Sequence, residues 1–282
     1  MVWTLPEGEA VKGLTSLDNH LYVLRGYKSS EQIEVYDIDT FRLLCCLTVP
    51  GLGNREDIVA CGHNRCAYVS DTSDNSVRRV SLSDATATRW PVNDTPLALS
   101  LTNTHGVLVS CWKVRKIKEF SADGQLLHVL TLPQDVVSLW HAIQLSSGQF
   151  VMCHGDNADP LHRVCLIDSD GSVVTSYGGP QGSGSQYMNA PLHIVVDRNE
   201  FVFVVDYDNG RVLLLSPQLT YVREVVSREQ FRWKPLRVHL DSDRGRLYVA
   251  DNLFKNGGFT TGRVVVVSAY PSSDESNDDD VQ

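Results

Sequence analysis

One position of a repeated sequence unit carries side chains that could bind a metal or move a proton. When six β-rich segments are aligned on one another, that position holds Gly13, Asp57, Ala98, His141, His193 and Arg237. Histidine and aspartate are common zinc ligands and common general acids and bases. If six strands start around a shared axis, these residues surround the mouth of a channel. The sequence therefore predicts a channel rim of Asp57, His141 and His193, with Arg237 beside them.

This set falls short of a metal centre on sequence grounds. Asp57 and His193 belong to the second and fifth segments, which would face each other across a ring of six. We expect them to lie too far apart for ligand bonds of about 2 Å. Neither a tyrosine nor a second carboxylate at this position offers a general base. We therefore expect no metal, no cofactor and no catalytic residue, and predict that the chain is not an enzyme.

The elements that carry these residues read as β-strands almost throughout. Six segments rich in Val, Tyr, Phe and Leu, typical of pleated surfaces, are HLYVLRG (20–26), CAYVSDT (66–72), GVLVSCW (106–112), QFVMCHG (149–155), FVFVVDY (201–207) and RLYVADN (246–252). A tight turn with Asn, Asp or Gly joins each to a preceding short strand. A third strand follows in every copy, and a fourth follows in all but the last.

The missing fourth strand has a counterpart at the other end of the chain. After GRVVVVSAYP (262–271) the sequence turns acidic, whereas VWTLP (2–6) has the pattern of a fourth strand. Pairing the two ends would close a ring of repeats and leave fewer unpaired sheet edges. The sequence thus predicts an all-β fold, a six-bladed β-propeller over residues 2–271. Residues 2–6 complete the last blade, and residues 272–282 form an acidic, disordered tail.

The last two blades resemble a known repeat. The segments SYGGPQGSGSQYMNAPLHIVVDRNEFVFVVDYDNGRVLLLS (176–216) and KPLRVHLDSDRGRLYVADN (234–252) are similar to the NHL repeat. Blades 1 to 4 depart from it, with Arg25, Cys111 and His154 where Asp71, Asp206 and Asp251 mark the better copies. Asp206–Arg211 and Asp251–Arg263 are expected to be structural ion pairs.

The resemblance is closest to the NHL domains at the C-termini of tripartite-motif proteins. It implies a substrate-recognition part of a ubiquitin-ligase system, in a chain that itself has no RING-type Cys/His array, B-box or coiled coil. Some domains of this type bind RNA. Amidating lyases and lactonase-type propellers, which resemble NHL propellers, imply a third alternative, a metal-dependent enzyme.

Loop residues on the predicted top face suggest what the propeller binds. Aromatic side chains and arginine carry much interface energy, so a protein or peptide is expected to bind Trp112, Tyr187, Trp233, Phe254 and Arg237. RNA is the alternative, because Arg232 and Lys234 flank Trp233 and suit phosphates and stacked bases. The net charge of −9 gives little general attraction for a polyanion.

Composition limits the remaining classes. The chain has no long apolar run for a membrane span and no signal-like N-terminus. Its seven cysteines are odd in number and lack a CxxC pair, which favours reduced thiols. We therefore expect a cytoplasmic protein that is monomeric as an isolated domain.

Overall fold

Six antiparallel sheets form the blades of a β-propeller. The structure is a computed structural model that describes residues 3–4 (backbone only), 7–26, 32–112, 114–157 and 159–270. Apart from strands, these residues include one 3-10 turn, Arg228–Gln230. No helix in the described ranges is long and apolar enough to cross a membrane. The predicted all-β, six-bladed fold is confirmed.

The first three blades each run from an inner to an outer strand in chain order. Blade 1 consists of β3 (Val11–Leu17), β4 (His20–Arg25), β5 (Gln32–Asp37) and β6 (Leu43–Thr48). Blade 2 consists of β7 (Arg55–Cys61), β8 (Cys66–Asp71), β9 (Ser76–Ser81) and β10 (Ala87–Pro91). Blade 3 consists of β11 (Pro96–Leu101), β12 (Val107–Cys111), β13 (Lys116–Phe120) and β14 (Leu126–Thr131).

The last three blades repeat this order, and the sixth draws on both ends of the described chain. Blade 4 consists of β15 (Leu139–Gln144), β16 (Phe150–His154), β17 (His162–Ile167) and β18 (Val173–Gly179). Blade 5 consists of β19 (Pro191–Val196), β20 (Val202–Asp206), β21 (Arg211–Leu215) and β22 (Tyr221–Val226). Blade 6 consists of β23 (Lys234–Asp241), β24 (Arg246–Lys255), β25 (Gly258–Ser268), β1 (Trp3–Thr4) and β2 (Gly8–Glu9).

Blade 6 is completed by the N-terminal strands, as the sequence predicts. Trp3 pairs with Val266, and β2 pairs with β25 farther along. Of the predicted strand 2–6, residues 2, 5 and 6 lie outside the described residues, and so does the tail 272–282.

The side chain of Asn252 strengthens the junction between blades 6 and 1. Its Oδ1 accepts the N–H of Val11 at 2.9 Å, and its Nδ2 donates to the Val11 carbonyl at 2.7 Å. Asn252 is 1% exposed, so these bonds lie in the interior. The amide therefore pairs with the inner strand of blade 1 as a neighbouring peptide group would.

The hydrophobic cores lie between blades. Six of the seven clusters of buried side chains among the described residues each fill one interface between neighbouring blades. Second strands such as β12 and β16 are buried along their whole length, because both faces pack against other blades. All seven cysteines are free thiols, and five of them are buried.

The predicted ion pairs hold loops in place. Arg211 Nε lies 2.8 Å from Asp206 Oδ2, and Arg263 Nε lies 2.8 Å from Asp251 Oδ2. Asp206 also accepts the N–H of Asn189, in the loop that enters the inner strand. Each pair therefore joins a blade's middle strands to the loop before that blade, which is a structural role.

Candidate active site in the central channel

A β-bulge sets the orientation of each inner strand where it meets the channel. The register shifts between residues 11 and 13, 55 and 57, 96 and 98, 139 and 141, 191 and 193, and 235 and 237. The residue after each bulge belongs to the set aligned from the sequence. We call this set the inner ring: Gly13, Asp57, Ala98, His141, His193 and Arg237. The repeated bulge confirms that these positions are equivalent, and bulges commonly re-aim side chains at functional sites.

The bulge residues close the channel at one end. We call this end the entry face, because its loops lead into the inner strands; it corresponds to the predicted top face. The buried Lys12 forms an ion pair with the partly buried Glu56 at 3.0 Å. Leu192 and Leu236 pack together, with Trp140 against them. A layer of buried and partly buried side chains thus separates the inner ring from the entry face.

Below this layer lies a cavity of about 240 Å³. It is lined by Leu14, Thr15, Ser16, Asp57, Ile58, Val59, Ala60, Leu99, Ser100, Leu101, His141, Ile143, His193, Val195, Val238 and His239. Asp57, His141 and His193 are buried, whereas Val59, Val195 and other residues farther along the inner strands are partly exposed. The cavity therefore opens toward the face opposite the entry face. The prediction that the inner ring surrounds the mouth of the top face is wrong.

Asp57 is held by the backbone of two strands. Its Oδ1 accepts the N–H of Ile58 at 2.9 Å, and its Oδ2 accepts the N–H of Leu99 in blade 3 at 2.9 Å. The carboxyl is 2% exposed. Burial raises its pKa, because desolvation penalises the charged form, and the positive charge of Arg237 opposes this effect.

His141 and His193 stack against each other beside Asp57. Their ring centroids lie 4.1 Å apart, with 21° between the ring planes. The His141 Nε2–H donates to the carbonyl of Leu99 at 3.2 Å, and its Nδ1 receives a long contact of 3.4 Å from the Ile194 N–H. Burial and the neighbouring His193 lower the pKa of His141 to about 3. Burial, and then Arg237, place the pKa of His193 well below its usual value.

The inner ring is narrower than the sequence argument assumed. His193 Nε2 lies 3.7 Å from Asp57 Oδ2, although these residues come from blades 5 and 2. A side chain at Gly13 would meet the Ile58 backbone at 2.8 Å and Asp57 Oδ1 at 3.1 Å, so the missing side chain leaves the carboxylate its place. The prediction that Asp57 and His193 lie too far apart to bind one metal ion is therefore wrong.

Arg237, predicted to meet a partner at the rim, is buried. It is 2% exposed, and its guanidinium donates to the carbonyls of Leu236 and Glu56, both at 3.3 Å. Its Nε has no hydrogen-bond partner among the described residues. Arg237 therefore spans from blade 6 to blade 2 inside the channel and contributes its charge there.

A further polar pair in the cavity was missed from the sequence. The Ser16 hydroxyl lies 2.8 Å from His239 Nε2, and so joins blades 1 and 6. Burial lowers the pKa of His239 to about 4, while Asp241 and Asp57 oppose that shift. His239 follows Arg237 by two residues on the same strand, so the two-residue alternation of a strand could have revealed it.

The residues predicted to bind a partner lie at the entry face, at or near the ends of strands of blades 3, 5 and 6. Phe254 is 54% exposed and Tyr187 is 44% exposed. Trp112 is partly buried, with its ring 6.4 Å from that of Trp140. Trp233 is partly buried under Arg232, whose guanidinium lies 5.0 Å from the indole ring.

Both cations of the predicted RNA surface have acidic partners. Arg232 pairs with Glu7, and Lys234 Nζ lies 2.7 Å from Asp208 Oδ1. These contacts reduce the positive charge that either side chain offers to a phosphate. The sequence could not reveal them, because the acids lie in distant segments.

Comparisons with known proteins agree with the fold. Neither a protein-family model nor a curated protein sequence matches the chain, so the NHL resemblance stays a prediction. Virginiamycin B lyase from Staphylococcus aureus is similar, with a TM-score of 0.65 and 10% identity over 95% of this chain and 100% of that chain. A streptogramin B lyase structure has a TM-score of 0.65 and 11% identity, with 94% and 98% of the two chains covered. At these identities the likeness shows the propeller fold alone.

These neighbours contradict the prediction that the chain is not an enzyme. Two are named as lyases, and a third is a catalytically inactive variant of the staphylococcal lyase with quinupristin, with a TM-score of 0.62 and 8% identity over 95% and 100% of the two chains. Our prediction rested on the absence of a general base at the inner ring. The named lyases show that this fold can support catalysis, and His239 lines the cavity as a further candidate base beyond the inner ring.

Proposed function

We propose that the protein is an enzyme of the lyase type that acts on a small molecule in the channel cavity. The observation that carries this proposal is a cavity closed at one end and lined by His141, His193 and His239. Concave sites with a few converging polar groups and perturbed pKa values are typical of active sites. The neighbouring lyases make such chemistry compatible with the fold, but they assign no residue here.

His239 and Ser16 supply the base in this proposal. Burial lowers the pKa of His239 to about 4, so the imidazole is uncharged near neutral pH and its Nε2 lone pair can face the Ser16 hydroxyl. Ser16 lies within hydrogen-bond distance of Nε2, the spacing expected of a proton-transfer pair. A substrate C–H proton would move to the Ser16 oxygen while the hydroxyl proton moves to His239.

In this proposal His193 supplies a hydrogen-bond donor for the carbonyl oxygen of the substrate. Both of its ring nitrogens lack a hydrogen-bond partner among the described residues, although the side chain is buried. An N–H at this position can donate to a carbonyl oxygen that becomes negative as the proton leaves, which is the principle of an oxyanion hole. The substrate class in this proposal is an ester or lactone in which the carbon next to the C–O carbon carries an acidic C–H beside a second carbonyl. Loss of that proton forms the C=C bond, the adjacent C–O bond breaks, and the carboxylate leaves.

The test is turnover of a panel of lactones and linear esters, followed by mass spectrometry. The products of elimination have the same total mass as the substrate, whereas the products of hydrolysis are heavier by one water molecule. Loss of the base should lower kcat/KM about 100- to 10,000-fold in His239→Gln and in Ser16→Ala. Ser100→Ala is the matched control, because the Ser100 hydroxyl lines the same cavity but donates to the Ala142 carbonyl at 2.8 Å. Absent turnover by the wild type, or full activity in His239→Gln, contradicts the proposal.

A second function, compatible with the first, is peptide binding on the entry face. Phe254 supports it, because this side chain is 54% exposed at the end of the long β24–β25 hairpin. Exposed aromatic residues are frequent binding hot spots. The acidic partners of Arg232 and Lys234 favour a peptide over RNA as the ligand. Substrate recognition in a ubiquitin-ligase system is the biological role that the NHL resemblance suggests.

Peptides selected from a displayed library provide the test of this second function. Phe254→Ala should weaken binding by about 2 kcal/mol, the scale of a hot spot. Tyr221→Ala is the control, because Tyr221 is also exposed, at 43%, but lies on the outer strand of blade 5. Equal affinities of the two variants would exclude the entry-face site, and salt-sensitive capture of an RNA pool would favour RNA.

A further inference from the structure

We propose that Asp57, His141 and His193 form a binding site for one divalent transition-metal cation, and that Zn²⁺ suits it best. This inference rests on the proposed function for its catalytic meaning, since the cation would replace the His193 N–H as the group facing the substrate carbonyl. Binding itself requires no substrate. The site lies at the closed end of the cavity, where all three side chains are buried.

The three side chains are already close to a ligand geometry. One nitrogen from each histidine and one carboxylate oxygen lie within 4.8 Å of one another. Ligand atoms bonded to Zn²⁺ at about 2.0–2.2 Å in a tetrahedron lie roughly 3.3–3.6 Å apart. The 3.7 Å separation of His193 Nε2 and Asp57 Oδ2 almost meets this value. Side-chain rotations that shorten the widest separation by roughly 1 Å would complete the set.

A single peptide group orients two of the ligands. The Leu99 N–H donates to Asp57 Oδ2, and the Leu99 carbonyl accepts from His141 Nε2. A metal-binding histidine almost always donates its other ring N–H to a carbonyl or a carboxylate. A cation would therefore bind His141 Nδ1 in place of the long 3.4 Å contact that this atom receives from the Ile194 N–H. The bonds around Leu99 thus resemble the outer contacts of known metal sites.

His193 provides an independent reason to expect a ligand. Neither of its ring nitrogens has a hydrogen-bond partner among the described residues, and the side chain is 6% exposed. Buried polar atoms normally have a partner, and an unsatisfied one points to a missing water or ion. Because its nitrogens lie beside Asp57 and His141, a shared cation would satisfy His193 and the carboxylate together.

The donor types select the metal. Two imidazoles and one carboxylate suit Zn²⁺ and its neighbours, whereas Mg²⁺ and Ca²⁺ prefer all-oxygen sites. Three protein ligands are the number found in catalytic zinc sites, which keep a further position open. The cavity lies beside the three ligands and would receive that position. Arg237 opposes binding by charge repulsion, but its guanidinium is directed to the carbonyls of Leu236 and Glu56.

The experiment is a Zn²⁺ titration of the full chain after treatment with a chelator. We expect calorimetry and elemental analysis to find one Zn²⁺ per chain at sub-micromolar affinity. His193→Ala should weaken this affinity by at least about 100-fold, the upper end of what loss of an outer-shell partner costs. His63→Ala is the matched control, because His63 and His105 form a stacked, exposed histidine pair that could bind Zn²⁺ adventitiously.

Each outcome is decisive. One equivalent of Zn²⁺ that depends on His193 and not on His63 supports the site. The proposal is wrong if the wild-type protein takes up no stoichiometric Zn²⁺. It is also wrong if the His63→Ala substitution abolishes Zn²⁺ binding. Circular dichroism of each variant identifies loss of folding, and the wild-type titration stands even if a variant unfolds. Because no turnover is measured, an inactive ester panel leaves this result intact.

Discussion

Replacing Asp251 with alanine should lower the free energy of unfolding by about 3–5 kcal/mol, because it leaves a partly buried cation and two backbone donors without their acceptor. Asp251 is fully buried, and Arg263 Nε lies 2.8 Å from its Oδ2. The carboxylate also accepts the N–H groups of Arg232 and Trp233, at 2.9 and 2.8 Å. One substitution therefore releases both the β24–β25 pair and the loop that enters blade 6.

Chemical denaturation measures this loss. Asp243→Ala is the control, because Asp243 pairs with Arg198 where both side chains are more than 70% exposed. Exposed pairs contribute about 0–1 kcal/mol, so this variant should unfold almost as the wild type does. Equal midpoints for the two variants would show that the Asp251 network contributes little.

Replacing Asn252 with leucine should lower the free energy of unfolding by about 2–4 kcal/mol, since an unsatisfied buried polar group costs about 1–3 kcal/mol. The leucine would leave the N–H and the carbonyl of Val11 without their side-chain partners. Asn252→Asp keeps an acceptor for the Val11 N–H but loses the donor to its carbonyl. We therefore expect it to destabilise as well, because a carboxylate would face that carbonyl.

Thermal and chemical unfolding of both variants would test the junction between blades 6 and 1. The exposed Asn54 provides the control, as Asn54→Leu changes the same chemical groups at the surface. If Asn252→Leu unfolds with the same midpoint as Asn54→Leu, the side-chain amide does not hold the ring closed.

The fold could be predicted because its signals are local and repeated. Alternation of apolar residues and the turn residues between strands recur in every blade, and the orphan strand around Trp3 accounts for the incomplete sixth copy. The inner ring could be aligned for the same reason, because each copy carries it at the same place. Aligning the repeats does not reveal the β-bulge before each inner-ring residue, because a bulge depends on how two strands pair.

The site itself was harder to predict, because it depends on distances across the channel. The closeness of Asp57 and His193 follows from the narrow ring and from the missing side chain at Gly13, and neither is visible in one repeat. The closed end follows from the ion pair of Lys12 with Glu56 and from apolar bulge residues of four other blades. The pairing of Arg232 with Glu7 joins opposite ends of the described chain. Such contacts arise only when the ring closes.

The inner ring also breaks the symmetry that the blades share. A channel of six identical blades would offer a bound molecule six equivalent orientations about its axis. Here blades 1 to 3 contribute Gly13, Asp57 and Ala98, whereas blades 4 to 6 contribute two imidazoles and a guanidinium. One half of the ring is small and carries the carboxylate, and the other half is bulky and carries the cation. A molecule in the cavity therefore meets different side chains on opposite sides of the channel axis, and the six orientations are no longer equivalent.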